Sequence, residues 1–318
     1  MNFVEVAGWG NESWDRDVTG VAVDPDDRVY VLRQGDLAVT VFQADGMPVH
    51  RWGQGYFSAR PHLISIGDDG KAYIADDGGH RVFVFDLGGR LLDTLGSGTP
   101  SETGYDAQAL SAEAAFDSIT GGLPFNRPTK AAPGRNGEVF VSDGYRNCRV
   151  HRFSAKRELL HSWGGPGSDE GCFVIPHSVT VDREGRVFVC DRENDRIQIF
   201  SVEGLLIDVW NDVQRPTDVA FDRRGYVYVT ELPRGPRDLK SWRLGPAMQT
   251  LAGGVTIRTS AGTLVGRIGG PGVEFRAPHA IAVDSHGAVY VSEVPQSFAN
   301  YTGAPHRPHC CLRKFEPV

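Results

Sequence analysis

The chain has 318 residues and a formal net charge of −7, with 23% charged and 40% hydrophobic residues. That balance supports a core, excludes global disorder and argues against a general polyanion binder, which carries a basic face. Glycine is 39 of the 318 residues and proline 19, so many short elements joined by turns are expected.

No run approaches the ~18 apolar residues of a membrane span. The first residues, MNFVEVAGWGNESWDRD, lack the basic and apolar regions of a secretory leader. No membrane and no nucleic-acid partner are expected. Five cysteines, with Cys310 and Cys311 adjacent, make a poor disulfide framework. The default expectation is a cytoplasmic monomer in a reducing setting.

In chain order, Phe3 to Trp9 reads first as a strand with no repeat before it. Six similar segments follow: VTGVAVDPDDRVYVLR from Val18, RPHLISIGDDGKAYIADD from Arg60, RPTKAAPGRNGEVFVSDGY from Arg127, IPHSVTVDREGRVFVCDRE from Ile175, RPTDVAFDRRGYVYVTE from Arg215 and APHAIAVDSHGAVYVSE from Ala277. Each is an apolar strand, a D-x-x-G type turn and a V-Y-V strand, which is a hairpin signal. Most units continue into two more alternating strands, such as HRVFVFD and GGRLLDTLG. Four strands in each unit of ~40 residues predict an all-β, six-bladed β-propeller, with residues 1–318 as one domain. The strand at 3–9 should complete the last blade and so remove an exposed edge.

Three segments interrupt the period: about 99–126, where AQALSAEAAF allows one or two helical turns, 232–264, and a loop at 295–308. Loops this long in a compact fold are usually functional. Most of the tryptophans close fourth strands as core. His80, His151, His161 and His286 read as surface, and His306 and His309 as part of the loop beside Cys310 and Cys311.

The first position of the inner strands reads Thr19, His62, Thr129, His177, Thr217, His279. Threonine and histidine alternate, so the histidines of blades two, four and six should converge on the axis as a threefold set. Three imidazoles with an open position suit a metal or an anion; zinc fits well, and iron, manganese or copper are alternatives. The ends of the second strands return to the same mouth and carry Arg33, Asp76, Asp143 with Tyr145, Asp191 with Arg192, Glu231 and Glu293. The acids read as turn acceptors. Arg33 breaks their pattern and reads as functional, while Tyr145 and Arg192 reach toward the mouth.

The strings FNRPTK at Phe125, SDGYRNCRV at Ser142, IPHSVTVD at Ile175 and DRENDRIQIF at Asp191 carry a resemblance to NHL-repeat propellers, and more closely to the peptidyl-α-hydroxyglycine α-amidating lyases. It runs over nearly the whole chain. It implies zinc on His62, His177 and His279, Tyr145 as catalytic base, and Arg33 and Arg192 as active-site arginines. Where that family reads Met-Pro-His-Asp, this chain has Ala277-Pro278-His279-Ala280, which weakens the expectation of a structural calcium and alters the pocket wall.

The implied reaction is metal-dependent cleavage of the carbinolamide C–N bond of an N-acyl-α-hydroxyglycine, a small or short peptidyl substrate, to an amide and glyoxylate. Two other readings stand beside it. One is a metal-dependent lyase or hydrolase on another hydroxylated small molecule, such as a ureidoglycolate-like compound. The other is a non-enzymatic binding scaffold, since fold does not dictate function.

Overall fold

A computed structural model of the chain describes residues 1–10, 17–35, 38–302 and 310–318. The chain folds into six four-stranded antiparallel sheets, each a blade of a β-propeller. The inner strands are Val18–Val23, Pro61–Ile66, Lys130–Pro133, Pro176–Val181, Pro216–Phe221 and Pro278–Val283. Strand Phe3–Glu5 pairs antiparallel with Leu312–Pro317, Val4 opposite Glu316, so the first strand closes the last blade. It is shorter than the segment from Phe3 to Trp9 that the sequence suggested.

The recurring turn has a clear physical basis. In blade four, Asp182 Oδ1 accepts from the backbone N–H groups of Glu184 and Arg186. Asp24, Asp222 and Asp284 repeat that pattern in blades one, five and six. The tyrosine of the following V-Y-V strand donates to the same carboxylate, as Tyr30 does to Asp24 and Tyr290 to Asp284. One acid therefore ties a turn to the strand that leaves it.

Trp52, Trp163 and Trp210 end fourth strands and are buried. Each packs on a glycine in the outer hairpin of the next blade. A side chain at Gly204 would run into Trp163, and one at Gly262 into Trp210. All five cysteines are free. Among the described residues, no helix is long and apolar enough to cross a membrane.

Two sequence expectations are corrected. Helix α1 (Ala112–Asp117) lies where one was allowed, but α2 (Pro295–Thr302) forms where only a loop was expected. His151 is fully buried rather than at the surface, with Nδ1 2.7 Å from Ser162 Oγ and its ring 5.5 Å from that of Phe125. His306 and His309 lie outside the described residues.

Candidate metal and active site

The inner strands bring His62, His177 and His279 together on the axis, all three buried, with ring centroids 4.9, 4.8 and 4.7 Å apart. One potential ligand atom from each lies within 4.8 Å of the others. The alternating threonines explain how the rings are held. His62 Nδ1 is 2.8 Å from the Thr129 carbonyl, His177 Nδ1 is 2.8 Å from that of Thr217, and His279 Nδ1 is 2.7 Å from that of Thr19. A carbonyl only accepts, so each Nδ1 carries the proton and each Nε2 presents a lone pair to the axis. The threonine hydroxyls extend the circuit, with Thr129 Oγ1 3.0 Å from the Pro176 carbonyl and Thr217 Oγ1 3.1 Å from that of Pro278.

Electrostatics keep the rings neutral. Burial pushes the His62 imidazole down to about 3, and Arg60 and Arg192 add to it against the opposing bond to Thr129. His177 and His279 are also held well below the usual histidine range, first by burial and then by nearby positive and imidazole groups. Neutral imidazoles aimed at one point are the donor set a divalent metal ion takes.

Tyr145 meets this cluster. Its hydroxyl is 3.0 Å from His62 Nε2 and 3.3 Å from His177 Nε2. It follows Gly144, where any side chain would collide with the Pro176 carbonyl, so the turn can press against the next blade only with glycine there. Arg192 begins the turn Arg192–Asn194, and its guanidinium carbon is 5.6 Å from the Tyr145 ring centroid. Arg192 Nε donates to Glu193 Oε1 at 2.8 Å, and Arg215 Nη2 donates to the same oxygen at 2.9 Å. Burial alone would raise the Glu193 carboxyl, but Arg215, Arg192 and Arg234 outweigh it and hold it at about 2.

The cluster opens into a cavity of about 370 Å³ whose wall includes His62, His279, Tyr145, Arg192, Arg60 and Arg215. The wall is thus rich in guanidinium groups, although the whole chain carries a net charge of −7. Arg33 ends strand Val29–Arg33 at the same mouth but is not part of this wall, to which its neighbour Gln34 contributes instead. The sequence reading missed Arg60 and Arg215. Asp77, fully buried, accepts from Arg60 Nε and Nη2 at 3.1 and 2.7 Å. The signal was present, because Arg-Pro opens blades two, three and five at Arg60, Arg127 and Arg215. The acids at the strand ends are structural as expected: Asp143 Oδ2 accepts from Asn126 N, Asp191 Oδ1 from Val174 N, and Glu293 Oε2 from Ala277 N.

Residues 173–200, which carry His177, Asp191 and Arg192, match the model of the NHL repeat. Over 267 residues the chain is 28% identical to peptidyl-alpha-hydroxyglycine alpha-amidating lyase 1 of Drosophila melanogaster, covering 79% of this chain and 46% of the relative. Over 229 residues it is 31% identical to NHL repeat-containing protein 3 of Homo sapiens, covering 67% of this chain and 61% of the relative. The chain thus spans about half to three fifths of the length of these two curated relatives. The fold is shared with virginiamycin B lyase from Staphylococcus aureus, with a TM-score of 0.58 over 100% of this chain and 99% of that one at 11% identity. The chain is therefore a six-bladed propeller with an NHL repeat, similar in sequence to peptidyl-alpha-hydroxyglycine alpha-amidating lyases and to NHL repeat-containing proteins.

Proposed function

We propose that this protein is a metal-dependent carbon–nitrogen lyase that splits an N-acyl-α-hydroxyglycine into an amide and glyoxylate. One observation carries the reading. Three buried neutral imidazoles converge with the Tyr145 hydroxyl inside a cavity lined by Arg60, Arg192 and Arg215. The similarity to the Drosophila lyase supports the reaction class.

His62, His177 and His279 would hold zinc through Nε2. When bound, the ion supplies Lewis acidity that makes a hydroxyl near it easier to deprotonate. The remaining work falls to side chains of the chain itself. Arg192 and Arg60 take the substrate carboxylate, which suits the planar guanidinium fork. Arg60 is better placed for this than Arg33, because Arg60 forms the wall and Asp77 orients it. Tyr145, as phenolate, removes the carbinol proton. The O–H electron pair becomes the new C=O of glyoxylate, the C–N bond breaks toward nitrogen, and the proton returns to the departing amide. Arg192, whose guanidinium carbon is 5.6 Å from the Tyr145 ring centroid, places positive charge beside this phenol.

The test is elemental analysis of purified protein together with glyoxylate release from N-benzoyl-α-hydroxyglycine. One equivalent of zinc with glyoxylate release is expected. Tyr145→Phe should keep the metal and lose about 10²–10⁴ in turnover. Full turnover in that variant overturns the base assignment. Retained metal without glyoxylate points to another hydroxylated small substrate, and absence of metal from protein never exposed to chelator points to a binding scaffold.

A further inference from the structure

Two segments that the propeller repeat does not require meet beside the histidine cluster. One is the stretch between strands Val227–Glu231 and Gly254–Arg258 in blade five. The other is α2 in blade six. Between them lies a second cavity of about 600 Å³, where Pro233, Val273, Phe275 and Phe298 form an apolar stretch beside charged side chains such as Arg237 and Glu274. That volume falls in the range of small-molecule sites.

The wall between the two cavities is thin. Leu232 lines the central cavity and Pro233 the outer one; Val294 lines the central cavity and Pro295 the outer one; Phe298 lines both. Phe298 packs against the cluster of Leu232, Ala277 and Val294, and the Arg215 guanidinium carbon is 6.0 Å from its ring centroid. Helix α2 is anchored from across the ring closure, because Asp17 Oδ1 and Oδ2 accept from Gln296 N and Ser297 N, both at 2.8 Å. This bond fixes the helix that presents Phe298. In a ring of six blades, Arg60 in blade two stands across the axis from blade five. A ligand whose carboxylate sits at Arg60 therefore extends its far end toward Phe298 and the outer cavity.

Resting on the lyase reading, we infer that the cavity between the blade-five insertion and α2 is the acyl subsite, that it takes an apolar aliphatic or aromatic acyl group, and that Phe298 is the specificity-determining residue at its threshold. The central cavity then holds the glycolate end and the outer cavity sets which acyl chains are accepted.

The experiment measures binding rather than turnover. N-octanoylglycine and N-acetylglycine both carry the carboxylate and the amide but lack the hydroxyl that the lyase would act on. Calorimetric titration of the protein should give at least about tenfold tighter binding of the octanoyl compound, since six further methylenes at ~0.8 kcal/mol each need only be partly buried to give that factor. Thr250→Trp, an exposed position that narrows the cleft, and Val273→Asp, which puts a charge into the apolar part of its wall, should each bring that ratio toward one. Equal affinities in the parent, no binding of either compound, or a ratio unchanged in both variants would overturn the subsite. A high ratio that both variants remove, in protein that releases no glyoxylate from N-acyl-α-hydroxyglycines, keeps the subsite and discards the lyase reading.

Discussion

Two successive layers of the central channel treat buried polar groups in opposite ways. In the upper layer, His62, His177 and His279 spend Nδ1 on backbone carbonyls of the next blades and leave Nε2 directed to the axis. In the layer beneath, polar groups from neighbouring inner strands satisfy one another across the blades. Lys130 Nζ lies 2.5 Å from Asp218 Oδ1 and 3.0 Å from Thr180 Oγ1, and Asp218 Oδ2 accepts from Ile281 N. That ion pair is buried and ties blades three, four, five and six. A protein interior normally completes its hydrogen bonds. The lower layer obeys this rule and reads as structure. The upper layer turns three Nε2 lone pairs toward one point, where the single Tyr145 hydroxyl faces two of them, and reads as a site.

The contrast can be broken from either side. The largest effect is expected from His177→Ala, which removes one of the three proposed ligands; metal retention after dialysis of the folded variant should fall from one equivalent to near none. Undiminished metal content would show that the upper layer is not the binding centre. Lys130→Ala strikes the lower layer and strands a buried carboxylate, at a cost of about 3–5 kcal/mol in thermal or urea unfolding. A Lys130→Met/Asp218→Leu pair should recover most of that loss, and if it does not, the pair has a role beyond neutralising itself.

Acid should separate the layers more gently. The three axial histidines resist protonation, His62 down to about 3, whereas an unfolded chain takes up protons below ~6.5. Between those values the unfolded state binds more protons, so stability falls as pH falls, by about 1.4 kcal/mol per pH unit for each such histidine. In chelator-treated protein the loss should begin near ~6.5, above the carboxylate range, and His62→Gln should make it shallower; an unchanged slope would mean the rings are not held neutral. The smallest effect is expected from Thr217→Val, which deletes only the hydroxyl near the Pro278 carbonyl. A loss of about 1 kcal/mol in stability and a decline in zinc affinity within about tenfold, read by competition with a chelating dye, would mark it as a positioning residue.

Much of this was legible in the residues. The Asp turns, V-Y-V strands and alternation of threonine with histidine are periodic, and periodic signals survive without knowledge of the fold. The ring of hydrogen bonds around the histidines follows from that alternation once blades are placed side by side. What was missed depends on contacts between distant parts of the chain. Helix α2 takes its N-terminal acceptor from Asp17, 279 positions upstream of Gln296, so nothing local in PQSFANYT announces it. Arg60 earns its place in the wall through the buried Asp77, a pairing that two separate strings do not advertise. His151 sits on an ordinary third strand, and only the neighbouring Phe125 and Ser162 make its position interior.

The pairing of Phe3–Glu5 with Leu312–Pro317 has a consequence for the birth of the molecule. The ribosome delivers one partner about 310 residues before the other, which at ~5–20 residues per second is a wait of roughly 15–60 s. During that interval the blades already made have a free edge on each side, and no more than two of the three histidines can have emerged until blade six is translated. The cluster is therefore completed only with the last blade, and an ion that needs all three imidazoles could not recruit the first five blades into place.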